Sequence, residues 1–221
     1  MKSVGFIGGT GDLGTALAIH IAKKYDHVVI GSRNIEKAET TLRDINSDKP
    51  SREYLMHISA DTNQNVAKNC DIIIATIPHE NALETVRSIS TDFRGNQILI
   101  SAAAGLTKIG SQFFPIRSSE SISTQISKTL PSTVRVATAF QTIPAAVLYK
   151  EREILADVPV ACDSEVTFHD VAEVVSSIAG LTPLYVGTLE LSGELESLTA
   201  LLLNIAVRNR LRSPTIKIHS F

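Results

Sequence analysis

The chain has 221 residues and a mass of 23.8 kDa, and 43% of it is apolar, enough to bury one sizeable core. Its 21 Lys and Arg against 23 Asp and Glu leave a formal charge of −2, without the basic excess that a nucleic-acid or anionic-membrane surface needs. The opening MKSVGFIGGTG has no secretory h-region, and no run reaches the ~18 apolar residues of a membrane span. Cys70 and Cys162 stand too far apart for a metal or disulfide motif, and buried free thiols suit a reducing compartment. The expectation is a cytoplasmic α/β protein with no nucleic-acid or membrane partner.

In chain order, β-branched runs predict strands at 3–7, 27–31, 54–58, 71–75 and 97–101. Between them lie helical stretches with one apolar face, such as Leu13, Leu17 and Ile21, or Ala82, Val86 and Ile89. The strand interiors VVI, IIIA and ILI are continuously apolar, as in a parallel sheet covered on both sides. Strand and helix alternating at this spacing predict βαβ units and a doubly wound, mostly parallel sheet. The Ser-, Thr- and Gly-rich stretch 105–131 reads as a lid or as ordinary surface connection, with one short helix near 122–129. Strands are then expected at 134–140 and 157–161, followed by a helix carrying Val171, Val174, Val175 and Ile178. A strand at 184–186 precedes a last helix within 190–210, where Leu198, Leu201, Leu202 and Ile205 repeat the same spacing. That helix is apolar nearly all round, so it must be buried in the core or between subunits, and a homodimer is expected.

The first predicted strand runs directly into Gly9-Thr10-Gly11-Asp12-Leu13-Gly14, a G-x-G-x-x-G that opens a helix. Gly9 is expected to permit the tight turn, Gly11 the approach of a pyrophosphate to the backbone, and Gly14 the packing of helix on strand. The helix N-terminus supplies free N–H donors and partial positive charge. These features predict a Rossmann-type dinucleotide-binding domain. NAD-binding versions place a carboxylate about 20 residues on, for the ribose 2′-hydroxyl. Here that count reaches Gly31, followed by Ser32 and Arg33, with Lys37 four residues further. A carboxylate would repel a 2′-phosphate, whereas Ser and Arg can bind one, so NADP is the expected cofactor.

The fourth strand ends in Thr76-Ile77-Pro78, where Pro stops the ladder at the ligand-binding edge and Ile77 offers an apolar wall. His79 reads as a loop histidine rather than a catalyst. The fifth strand ends in Ser101-Ala102-Ala103-Ala104-Gly105, whose small side chains leave room for a flat ring. In Thr138-Ala-Phe-Gln-Thr-Ile-Pro-Ala-Ala146, Phe140 and Ile143 can flank a ring, Gln141 and Thr142 can bond its polar edge, and Ala145 permits close approach. The plainer reading of that segment is a strand end and turn. No metal cluster, nucleophile–base set or catalytic carboxylate pair stands out, as suits direct hydride transfer between two bound rings. The residues alone leave open a reductase of a flavin or of a small imine or keto substrate, and also a non-catalytic NADPH-binding sensor.

Over essentially its whole length the chain resembles the archaeal NADPH:coenzyme F420 oxidoreductases. The likeness rests on IGGTGDLG, IGSRNIEKAE, CDIIIATIPHENALET, QTIPAA, DVPVACD, LESLTALLLN and the terminal IKIHSF. It implies a hydride passed between nicotinamide C4 and deazaflavin C5 without an acid–base residue, in a dimeric protein. The division implied is a Rossmann domain over 1–149 and a small C-terminal α/β extension over 150–221, for the acceptor pocket and dimerisation. By position, the resemblance puts NADP contacts at Thr10 to Leu13, Ser32, Arg33, Lys37, Ile77, Ala104 and Ala145. Gln141 stands where the family motif carries His.

Overall fold

The structure, a computed structural model, describes residues 2–48, 52–150 and 153–220. Met1 and Phe221, which end two of the quoted motifs, lie outside the described residues. The first half alternates as expected: β1 (Val4–Ile7), α1 (Asp12–Ile21), β2 (Val28–Ser32), α2 (Ile35–Asp48), β3 (Ile58–Thr62), α3 (Asn63–Asn69), β4 (Ile72–Ala75), α4 (His79–Ser88) and β5 (Ile98–Ser101). A hairpin of β6 (Leu106–Ile109) and β7 (Gln112–Pro115) follows, then α5 (Ile122–Ser127), β8 (Arg135–Thr138) and α6 (Ala145–Leu148). The chain closes with β9 (Ala156–Cys162), α7 (Glu165–Ser176), β10 (Leu181–Gly187) and α8 (Ser192–Asn209).

One eight-stranded sheet runs in the order β10-β9-β8-β5-β4-β1-β2-β3. The six strands from β8 to β3 pair in parallel, β8 and β9 pair antiparallel, and β9 and β10 are again parallel. This is a Rossmann-type α/β fold whose last two strands extend the same sheet. Every residue of β1, β4, β5 and β9 is buried, because helices cover both faces. Two clusters fill the faces. One gathers Leu17, Ile30, Ile74 and Ile100 with Val171, Val174 and Val175 of α7. The other gathers Ile73, Leu99 and Val136 with Val86 and Ile126. Each buried Val or Ile contributes about 1.5–3 kcal/mol of transfer free energy.

Two expectations need correction. The third strand begins at Ile58, because residues Glu53–His57 form a 3₁₀ turn that drops Leu55 into the core. A short apolar run does not by itself distinguish a strand from such a plug. Stretch 105–131 contains the β6–β7 hairpin, which turns at Gly110 with φ +59°. Asn204 of α8 accepts from the Phe113 N–H at 2.9 Å and donates to the Phe113 carbonyl at 2.6 Å, pinning this hairpin to the last helix. Within one chain α8 is only half covered: Leu195 and Ala200 are buried, while Leu201 is 54%, Val207 49% and Ile205 39% exposed. Among the described residues no helix is long and apolar enough to cross a membrane.

Candidate functional site

The strand order reverses between β1 and β4, the switch point at which open α/β sheets bind ligands beyond the carboxyl ends of their strands. A cavity of about 570 Å³ lies there. β1 and α1 contribute Gly8 and Thr10 to Leu13, and the β2–α2 junction contributes Ser32, Arg33, Asn34 and Lys37. The segment from β4 into α4 contributes Thr76 to His79, and the residues after β5 contribute Ala102 to Ala104.

The turn after β1 departs from expectation in one detail. Its left-handed residue is Gly8, at φ +72°, while Gly9 and Gly14 are needed for close packing. A Cβ on Gly14 would lie 2.7 Å from Gly9 Cα and 2.6 Å from Thr76 Oγ1, so only glycine lets α1 sit this near the strands. Gly11 precedes α1 without any side-chain cap, which leaves the first N–H groups of the helix free for an anionic ligand. Asn63 was not expected in the site. Its buried Oδ1 accepts from the Gly8 N–H at 3.2 Å, and Thr76 Oγ1 donates to the Gly8 carbonyl at 3.2 Å, so two distant side chains set the turn. No local motif in the sequence announces either bond.

Ser32 Oγ accepts from the Asn34 N–H at 3.2 Å, holding the β2–α2 corner toward the cavity. Arg33 and Lys37 are exposed on that wall, and neither has an ion-pair partner among the described residues. Two unpaired cations and a serine hydroxyl at the β2–α2 corner, with no carboxylate beside them, fit a dinucleotide bearing a 2′-phosphate. Ala102 to Ala104 form a smooth wall beside His79, with space for a flat ring.

Of the residues singled out from sequence, Thr10 to Leu13, Ser32, Arg33, Lys37, Thr76, Ile77, Pro78 and Ala104 meet on this cavity. Gly9 and Gly14 lie buried just beneath it. Phe140, Gln141 and Ile143 are buried, and with Ala145 they stand off its wall. Phe140 takes φ +75°, and its side chain fills the core below the sheet edge. His79, expected in a loop, instead opens α4 on the cavity wall. Among the described residues no cluster of three His, Cys, Asp or Glu is placed to hold a metal. Burial pushes the Cys70 thiol up to about 12, with the neighbouring Asp71 charge adding to the rise, so this thiol is not a nucleophile.

Residues 3–105 match the family model described as NADP oxidoreductase, coenzyme F420-dependent. The chain is 30% identical to the F420-dependent NADP reductase of Methanothermobacter thermautotrophicus, over 99% of its own length and 95% of that protein. It is 28% identical to the enzyme of the same name from Methanocaldococcus jannaschii, over 97% of each chain. In fold it is similar to a crystal structure from Arthrobacter sp. FB24, provisionally assigned as an F420-dependent NADP reductase, with a TM-score of 0.81, full coverage of both chains and 17% identity. This likeness, at 30% identity over nearly the whole of both chains, places this chain in the F420-dependent NADP reductase family.

Proposed function

We propose that the protein transfers a hydride between NADP(H) and coenzyme F420. The observation that carries this reading is the full-length likeness to F420-dependent NADP reductases, joined to a cleft with Ser32, Arg33 and Lys37 where a carboxylate would select NAD. The free N–H groups at the start of α1 would hold the pyrophosphate, and Arg33 and Lys37 the 2′-phosphate. Ile77 and Pro78 would bound the ribose, leaving the nicotinamide beside Ala102 to Ala104. Phe140, Gln141, Ile143 and Ala145 would act from behind, shaping the edge against which the deazaflavin rests. The chain's contribution to catalysis is then proximity and alignment of two flat rings, with water excluded.

A homodimer joined through the exposed side of α8 completes this reading, working in the cytoplasm as the two buried thiols suit. The test is NADPH deuterated on one face of C4, incubated with F420 and the purified protein. Deuterium should pass from one prochiral face only, and it should appear on the deazaflavin and not in water. Deuterium washing into solvent, or NADPH binding without turnover of F420, would refute the assignment.

A further inference from the structure

The two sides of α8 differ in kind. Ser192, Glu196 and Ala200, spaced four apart, are buried against their own chain. Ser192 Oγ donates to the Leu189 carbonyl at 2.6 Å, and the Glu196 carboxylate accepts from the Ile122 and Ser123 N–H groups, both at 3.0 Å. At roughly 3.6 residues per turn, the opposite side carries Glu194, Leu198, Leu201, Ile205 and Arg208, all within about 40° of one line along the helix. The steps between them alternate four and three, the spacing with which two helices pack side by side. Leu198 is half-buried, and the other four are exposed.

This line changes character along its length. Glu194 stands seven residues before Leu201 and Arg208 seven after it, and neither has an ion-pair partner among the described residues. Both signs suit the dipole of the helix itself. The dipole gives no reason, however, for Leu201 and Ile205 to stand in water between the two charges. The β6–β7 hairpin, fastened to the same helix through Asn204, adds exposed Ile109 and Phe114. An apolar strip with opposite charges at its ends is complementary to itself turned end for end, which is the relation a two-fold axis produces. Glu194 also lines a second cavity of about 370 Å³, formed with Arg117, Ser121 and Ser197, which meets the nucleotide cleft at His79.

We propose that a second copy of this chain covers the line, its α8 running antiparallel, with the two-fold axis passing beside Leu201. This rests on the homodimer reading above and fixes its register. Leu201 packs on Leu201 of the partner subunit, and at both ends of the helix pair Glu194 faces the partner's Arg208. Each copy thereby sets an arginine at the mouth of the other's second cavity. Among the carboxylates of that cavity, Glu120 pairs with Lys128 and Glu196 is held by the start of α5. Glu194 is the one left unanswered within the chain, and the partner's Arg208 answers it. The second cavity is therefore complete only in the dimer.

The test measures the dimer dissociation constant of the full-length protein by sedimentation equilibrium. NADPH binding checks that each variant is folded, since α8 lines no part of the nucleotide cleft. Glu194→Arg and Arg208→Glu should each weaken the dimer by roughly tenfold or more. Mixing these two variants should restore it, because every facing pair is then opposite in sign. In oxidising buffer, Glu194→Cys and Arg208→Cys should cross-link to each other when mixed, and neither should cross-link alone, the native thiols being buried. A wild-type dimer whose constant ignores both charge reversals, or cysteine variants that cross-link only to themselves, would overturn this register and leave the homodimer standing. A wild type that stays monomeric would instead bring down the homodimer reading, and this inference with it.

Discussion

The side-chain amide of Gln141 donates to the carbonyl of Ser101 at 2.9 Å, joining the ends of β5 and β8 where the sheet borders the cleft. Thr199 of α8 donates to the Gln141 carbonyl at 2.8 Å, so the last helix is fastened to the same point. Gln141 thus works as a brace between the Rossmann strands and the C-terminal segment, at a position where the family motif carries a titrating side chain. Replacing Gln141 with His should change F420 binding or the pH profile while NADPH affinity stays constant. Fluorescence titration with NADPH, beside steady-state kinetics in F420, checks both halves.

Cofactor choice follows from Arg33 and Lys37, which have no carboxylate partners on the cavity wall. NADPH should bind more tightly than NADH by roughly 2–3 kcal/mol if two charge-assisted contacts form. Arg33→Ala should remove about half of that difference and leave NADH affinity untouched. Equal affinities of the wild type for the two dinucleotides would contradict the assignment.

Gly31 cannot be exchanged to convert the enzyme to NAD. A Cβ there would lie 2.4 Å from the Phe6 carbonyl oxygen, which is backbone of the neighbouring strand and cannot swing aside. Gly31→Asp should therefore unfold at lower urea, with a loss of about 3 kcal/mol, before any change of cofactor preference is seen.

The C-terminal segment is docked by Asp157 of β9. Its Oδ2 accepts from the Ile218 N–H at 2.6 Å and its Oδ1 from Lys217 Nζ at 2.6 Å. Burial alone would raise the Asp157 carboxyl, but the Ile218 amide and the Lys217 ammonium together hold it below its ordinary value. A lowered folded value means this stabilisation is complete above the unfolded carboxylate pKa, near 3.9, and is lost as pH falls through the folded one. Asp157→Asn should cost about 1–3 kcal/mol near neutrality and make acid unfolding below pH ~4 less steep.

Leu201 and Ile205 of α8, one turn apart on the same face, leave apolar surface that one chain does not cover. Sedimentation equilibrium should show a dimer at micromolar concentration. Leu201→Glu should shift it toward monomer, because an unpaired charge in a dry interface is strongly unfavourable. A wild type that sediments only as monomer would exclude the proposed assembly.

The parallel core and the nucleotide site were legible in the sequence because both depend on short-range facts. Continuous apolar runs mark strands covered on both faces, the spacing of Gly9, Gly11 and Gly14 marks a turn into a helix, and Gly31-Ser32-Arg33 lies next to a strand end. Tertiary structure alone decided what depends on long-range pairing. The chain reverses to lay β9 antiparallel on β8, Asn63 reaches across to Gly8, and Asn204 clamps the hairpin at Phe113. His79 lines both cavities because α8, more than a hundred residues away in sequence, and the loop through Gly105, twenty-six residues away, close around it. A side chain's chemistry is written at its own position, but its partners are set by the fold, and no local pattern encodes a contact between segments so far apart.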